Sequence, residues 1–261
     1  MGDLICGETG DYGDDFRFLP ASRPRRPQGS CVALRRQSRK PSGRRCSRTQ
    51  RRLRRLYGPG WHNYLYTVGG IAFVVVDTSG AHRPADEVTA ARAAFVTRAF
   101  ERAANMPVIL LSHVPLVAMR KEEILRSSFG FSSWKIVEPS LLDMVTGHAD
   151  RVIAVLCGHI HISGIRVVHG VHHVMPSGTA GYPMDFASFD VYPDHIDVTM
   201  HRAPAALLGD RSAGNIHGAR RHGVDYVDDE HTDHESYLSG NPAERRCTIP
   251  LDGARRPDVA T

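Results

Sequence analysis

Two histidines follow a run of apolar residues in the second half of the chain. The run covers Val152–Leu156, and His159 and His161 come after a Cys-Gly pair. An unbroken apolar run of this length is typical of a strand buried on both faces. In an extended or tightly turned backbone, side chains two residues apart point the same way, so both imidazoles would face the crevice beyond the strand end. Imidazole is a common ligand of zinc, iron and manganese, so a metal site is one interpretation. The other is a pair of loop histidines that bind nothing.

A third histidine has the same setting earlier in the chain. A short apolar run precedes Ser112 and His113, and Pro115 stops the strand. Because open α/β sheets place their ligands at the carboxyl ends of strands, a second strand that ends in histidine favours the metal site.

These two stretches resemble the motifs of a known superfamily. The first stretch, Ser-His-Val-Pro at 112–115, is similar to the Ser/Thr-His-x-Pro motif of calcineurin-like metallophosphoesterases. The second, Gly-His-Ile-His at 158–161, is similar to their Gly-His-x-His motif. The resemblance covers residues 57–202 in order and spacing, and includes a hairpin and strand that end in Asp-Thr at 77–78. It implies an α/β fold, the four-layer αββα sandwich of calcineurin-like phosphoesterases, incomplete at its N-terminus. It also implies that a dinuclear metal centre hydrolyses a small phosphoester substrate.

The resemblance further implies which residues bind the metals. His113 and His159 would bind one ion, His161 would bind the other, and Asp11 would bridge the two. The two ions would be divalent or trivalent iron, manganese or zinc, since a mixed set of imidazoles and carboxylates suits these metals. For Asp11 the alternative is a solvated acidic turn.

Two further motifs of the superfamily are missing from the sequence. The opening Asp-x-His motif would precede Met1, and the Gly-Asn-His-Asp/Glu motif, which supplies the acid histidine, would lie between Asp11 and Tyr57. We therefore expect a metallophosphoesterase that is impaired in this chain, with no catalytic acid assigned. The alternatives are a non-catalytic remnant that binds metal or phosphate, and a protein that binds nucleic acid through its arginine-rich segment.

Residues 21–56 form that segment. They hold 14 of the 33 Lys and Arg residues and no acid, so the remaining chain has 19 basic against 28 acidic residues. Without apolar periodicity, this composition predicts disorder, while clustered arginines could also neutralise nucleic-acid phosphates. Because no aromatic residue lies among the arginines, we do not expect nucleic acid as a partner. A shifted reading frame is a third interpretation. With one choice of synonymous codons, residues 29–40 read from the second base contain Gly-Gly-Asn-His-Glu, the missing motif in its expected place.

The apolar patterns predict the elements that would position the histidines. A hairpin and strand at 63–78, an amphipathic helix at 85–104 and the strand before His113 would form a β-α-β unit. An irregular insertion at 116–138, a short helix at 138–147 and an antiparallel strand at 165–175 would complete the core. We divide the chain into 1–20, a remnant of an N-terminal strand and Gly-Asp loop; 21–56, the arginine-rich segment; 57–202, the metallophosphoesterase core; and 203–261, a polar C-terminal tail.

Composition also bears on the cellular setting. No apolar stretch reaches the roughly 18 residues that cross a bilayer, so we expect neither a membrane span nor a membrane partner. No charged and then apolar leader begins the chain, so we expect no signal peptide. Five scattered cysteines without a C-x-x-C pair favour a reduced, cytoplasmic protein.

Overall fold

The computed structural model describes residues 63–78, 86–129, 135–136, 139–178, 182–204, 206 and 227–251. The predictions for 1–20 and 21–56, including the bridging role of Asp11, lie outside these residues. The helices and strands are, in chain order, β1 (Tyr64–Val68), β2 (Ile71–Val76), α1 (Asp86–Ala103), β3 (Val108–Ser112), α2 (Glu122–Phe129), α3 (Pro139–Thr146), β4 (Val152–Leu156), β5 (Gly164–Val168), β6 (Val171–Met175), β7 (Asp185–Val191), β8 (His195–Arg202), α4 (His234–Ser239), a 3₁₀ turn (Pro242–Glu244) and β9 (Arg246–Pro250).

Four parallel strands form the centre of a six-stranded sheet. The strand order is β1-β2-β3-β4-β6-β5, with β1 and β5 antiparallel at the two edges. Every residue of β3 and the first four residues of β4 are buried, as the apolar runs in the sequence predicted. Parallel strands need this composition because both of their faces are covered. The predicted β-α-β unit is confirmed as β2-α1-β3.

The two faces of this sheet pack against different partners. Helices α1 and α3 cover one face, where Phe100 and Leu110 lie in the same buried cluster. A three-stranded sheet, in the order β7-β8-β9, covers the other face, where Ile196 and Ile249 pack with Ile109. The protein is therefore a mixed α/β fold with the six-stranded sheet in its middle. The outer helical layer of an αββα sandwich stays a prediction.

Residues 227–251 correct the prediction of a polar C-terminal tail. Strand β9 pairs antiparallel with β8, and Ile249 is buried between the sheets. Tyr237 and Leu238 of α4 are also buried. The tail was predicted from polar composition, but alternate residues of a short strand are enough to face a core. The boundary at residue 203 itself stays a prediction.

The described part of the predicted irregular insertion, residues 116–129 and 135–136, is more regular than expected. It contains α2, in which Leu125 is fully buried against Met119 and other apolar side chains. Among the described helices, none is long and apolar enough to cross a membrane.

Candidate metal centre

The carboxyl ends of β3 and β4 lie side by side because these strands pair in parallel. Leu111 is level with Leu156 in the register, so His113 and Gly158, each two residues further on, are neighbours. The amide of Gly158 donates a hydrogen bond to the carbonyl oxygen of His113 at 3.1 Å. The pairing thus brings the two histidine loops together at the sheet edge where α/β folds bind ligands.

The side chains of His113 and His159 meet at this edge. Nδ1 of His159 lies 3.1 Å from Nε2 of His113, and the ring planes cross at 65°. His113 is 2% exposed and His159 is half-buried. Two imidazoles on one ion, with bonds of about 2.0–2.1 Å, place their nitrogens about 2.9–3.4 Å apart. The spacing therefore fits a shared metal ion, and it equally fits a hydrogen bond between a donor ring and an acceptor ring.

The backbone of the second loop is strained at its histidines. His159 has a φ of 79° and His161 a φ of 55°, in the left-handed region that only glycine adopts freely. Ile160 and Ile162 are buried at 3% and 0% exposure, so they anchor the loop while the histidines take the strained positions. Such strain persists where the surrounding structure imposes it, and it is concentrated at functional sites.

His161 lies in the same loop and is half-buried, but it does not join the other two histidines in a cluster. Across the described ranges, no three His, Cys, Asp or Glu side chains lie close enough together to hold a metal ion. The structure thus brings two of the predicted ligands together. That His113 and His159 bind a metal, that His161 binds a second ion and that Asp11 bridges them stay predictions.

A buried pair of hydroxyl groups holds the His113 loop. Thr78, just after β2, has its Oγ1 2.9 Å from Oγ of Ser112 and accepts a hydrogen bond from the Val114 amide at 3.0 Å. Oγ of Ser112 also donates to the Val114 carbonyl at 2.5 Å. These contacts fix the backbone on both sides of His113, a role that the sequence did not reveal.

A buried arginine lies between the two histidine loops and the C-terminal segment. Arg120 is 2% exposed, and it donates to the carbonyl oxygens of Met119, Ser163 and Tyr237, each at 2.8 Å. Its Nη1 also lies 3.2 Å from Oε1 of Glu244. Burial lowers the pKa of Arg120, and the Glu244 carboxylate opposes that effect. The role of Arg120 could not be predicted from the sequence, because three of its partners are backbone carbonyls, one of them 117 residues away.

His231 links Glu244 to Asp228. Its Nδ1 lies 2.8 Å from Oδ1 of Asp228 and its Nε2 lies 2.7 Å from Oε2 of Glu244. Burial alone would lower the pKa of His231, but its hydrogen bonds to Glu244 and Asp228 raise it above the usual value. A carboxylate at each nitrogen favours the protonated ring, in which both nitrogens are donors. Asp228 and His231, which fall in the predicted polar tail, are therefore part of the folded structure. We call this group the Arg120 cluster; it consists of Asp228, His231, Glu244 and Arg120.

A second buried network holds the chain just beyond His161. Asp185, at the start of β7, is fully buried and accepts hydrogen bonds from Oγ of Ser163 at 2.8 Å and from Nη1 of Arg245 at 2.8 Å. Its other oxygen accepts from Nε of Arg202 at 3.1 Å. Since a buried carboxylate needs such partners, the network ties the loop after His161 to β7, β8 and the C-terminal segment.

Residues 165–175 were predicted as one antiparallel strand but form two, because a turn separates β5 from β6, and β6 pairs parallel with β4. His172 and His173 lie in β6. Burial lowers the pKa of His173 to about 4, and the nearby His172 and Arg166 act in the same direction. His173 is thus a neutral part of the core near neutral pH.

Neither a protein-family model nor a curated protein matches the sequence. Among solved structures, the chain is similar to a purple acid phosphatase isolated from yellow lupin (Lupinus luteus) seeds, with 12% sequence identity and a TM-score of 0.39. The match covers 57% of this chain and 31% of the lupin protein, so the chain spans about a third of that protein's length.

Proposed function

We propose that this chain is a metal-dependent phosphoester hydrolase of the calcineurin-like type, impaired in its present form. The observation that carries the proposal is the 3.1 Å between Nε2 of His113 and Nδ1 of His159 at the ends of adjacent parallel strands. The strained backbone of His159 and His161 supports a functional use of the same edge. The Ser-His-x-Pro and Gly-His-x-His motifs point to the reaction class.

The chain would hold its metal through histidine side chains. Nε2 of His113 and Nδ1 of His159 would bind one ion, His161 would bind a second, and Asp11 would bridge the two. A bound pair of iron, manganese or zinc ions would supply a nucleophile at neutral pH and polarise the phosphoryl oxygens. The Gly158–His113 backbone bond and the Thr78–Ser112 pair would keep the imidazoles oriented. The same proposal includes a small phosphoester as the substrate, a cytoplasmic location for the protein and the αββα sandwich as its fold.

The test is a Mn²⁺ titration of the purified full-length chain by calorimetry, followed by assays with p-nitrophenyl phosphate and bis(p-nitrophenyl) phosphate. His113→Ala and His159→Ala should each weaken Mn²⁺ binding about tenfold or more, since each removes a ligand. His195→Ala is the matched control, because His195 lies on β8 and contacts Tyr192 rather than the site. Mn²⁺ affinity that is the same in all three variants and the unchanged protein would refute the proposal.

A second candidate is a remnant that binds metal without turning over substrate. The observation in its favour is that the described residues bring together two imidazoles and no third ligand. In the same experiment, this candidate predicts Mn²⁺ binding that depends on His113 and His159, with no hydrolysis of either ester.

A further inference from the structure

The buried side chain of Arg120 has a hydrogen-bond acceptor for nearly every one of its donors. It makes four hydrogen bonds, one to the carboxylate of Glu244 and three to the carbonyls of Met119, Ser163 and Tyr237. A guanidinium has five N–H donors, so all but one are used. Its Cζ also lies 5.6 Å from the centre of the Tyr237 ring, a cation–π distance.

Two glycines make room for this arrangement. A β-carbon on Gly164 would lie 3.1 Å from Nη1 of Arg120, closer than ordinary contact. Gly240 has a φ of 78°, and a β-carbon there would lie 3.0 Å from the carbonyl oxygen of Ser163. Larger residues at either position would displace the guanidinium or the carbonyl that it binds.

The bonds of Arg120 join three separate segments. Met119 belongs to the chain that leaves His113, and Ser163 comes two residues after His161. Tyr237 and Glu244 belong to the C-terminal segment, which His231 and Asp228 reinforce. Lysine could not replace Arg120, because an ammonium group cannot reach this planar set of acceptors at once.

We infer that Arg120 is a positioning residue for the candidate metal centre. It sets the distance between the His113 loop and the His159–His161 loop, and the C-terminal segment acts on the site through it. The link to metal binding rests on the proposed function, whereas the positioning of the loops does not.

The first measurement needs no metal. The amide of Gly158, bonded to the carbonyl of His113, reports on the contact between the loops, and the amide of Val155 in β4 is an internal reference. In full-length protein, Arg120→Met should raise the hydrogen-exchange rate of the Gly158 amide about tenfold relative to that of Val155. The reason is that the contact between the two loops can then open while β4 stays folded. Val145→Ala is the control, since Val145 is fully buried on α3 and belongs to a different buried cluster from Met119, Ile162 and Tyr237. It should lower stability and leave the ratio of the two rates unchanged.

The second measurement is Mn²⁺ affinity. Arg120→Met should weaken it about tenfold or more, in the range found for residues that support metal ligands. Arg120→Lys should recover only part of the loss, and Val145→Ala should bind like the unchanged protein. If Arg120→Met does not fold, Glu244→Gln and Gly164→Ala take its place, because they disturb the guanidinium without removing it.

The outcomes separate the two proposals. An unchanged protein that binds no Mn²⁺ would refute the proposed function, and the exchange ratio would still decide the role of Arg120. The positioning role would be overturned if the ratio of the Gly158 to the Val155 exchange rate stays the same in Arg120→Met and in Gly164→Ala. An equal rise of the ratio in Val145→Ala would overturn it as well, because the effect would then be general destabilisation.

Discussion

His159 and His161 adopt backbone conformations that a β-carbon disfavours, although both carry bulky rings. The sequence predicted where these histidines lie, since an apolar strand and a glycine precede them. It could not predict their strain, because the left-handed conformation arises from the burial of Ile160 and Ile162 around them. The loop therefore buries its isoleucines and places its imidazoles at the strand end at the cost of backbone strain at both histidines.

The strain at His161 predicts an inverted order of two substitutions. At an ordinary strand position, glycine is less stabilising than alanine by about 0.5–1 kcal/mol. In the left-handed region the β-carbon costs about 1–2 kcal/mol, so His161→Gly should have a larger free energy of unfolding than His161→Ala. Urea denaturation of both variants measures this difference. The same pair at His172, inside β6, should show the ordinary order, and an ordinary order at His161 would contradict the strain.

His231 predicts a dependence of stability on pH. Its folded pKa is raised, so its contribution to stability is fully present below the unfolded value of about 6.5 and is lost as pH rises through the folded value. The charged groups that face it are Asp228, Glu244 and Arg120. The free energy of unfolding should therefore fall from about pH 6.5 upward, and this slope should be smaller in His231→Gln. Parallel curves for the two proteins would show that the ring is not held as an imidazolium.

At the scale of elements, predictability depended on how much of an element is apolar. The strands β3 and β4 were predicted because nearly all their residues are buried, and α1 because its apolar residues recur at helical spacing. Strand β9 was missed because only two of its five residues, Cys247 and Ile249, face the core. Its pairing with β8 and its packing against the six-stranded sheet are tertiary effects that a local pattern does not carry.

The structural role of β9 can be measured with one substitution. Ile249 is 1% exposed between the two sheets, so Ile249→Ala should lower the free energy of unfolding by about 2–4 kcal/mol. Thr248 is exposed on the other face of the strand, where its hydroxyl donates a hydrogen bond to Asp197, so Thr248→Ala should cost only about 1 kcal/mol. Chemical denaturation distinguishes the two, and an equally small effect at both positions would restore the interpretation as a tail.

At the scale of the whole molecule, hydrogen bonds and ion pairs of buried charged side chains join segments that are far apart in the sequence. The Arg120 cluster and the Asp185 network join the histidine loops to residues 228–245. The sequence divided these segments into a core and a tail because their mutual hydrogen bonds leave no periodic signal. The adjacent parallel strands that bring His113 and His159 together were predictable, since crossover connections place strand ends at one edge.

The frame-shift hypothesis for residues 21–56 also belongs to this scale, and these residues lie outside the described ranges. The sudden arginine-rich composition before an ordered α/β pattern motivates it. Sequencing the gene should show that the codons of Arg35 to Arg39, read one base later, encode Gly-Gly-Asn-His-Glu. Codons that give another product would reject the hypothesis.

X-ray absorption of the zinc-loaded full-length chain shows whether His113 and His159 share a metal ion. If they do, the spectrum should contain imidazole scattering from at least two rings, with zinc–nitrogen distances of about 2.0–2.1 Å. That scattering should be lost when His113 and His159 are both replaced by alanine, and retained in His195→Ala. Zinc without imidazole scattering, or a spectrum that the double replacement leaves unchanged, would contradict the account.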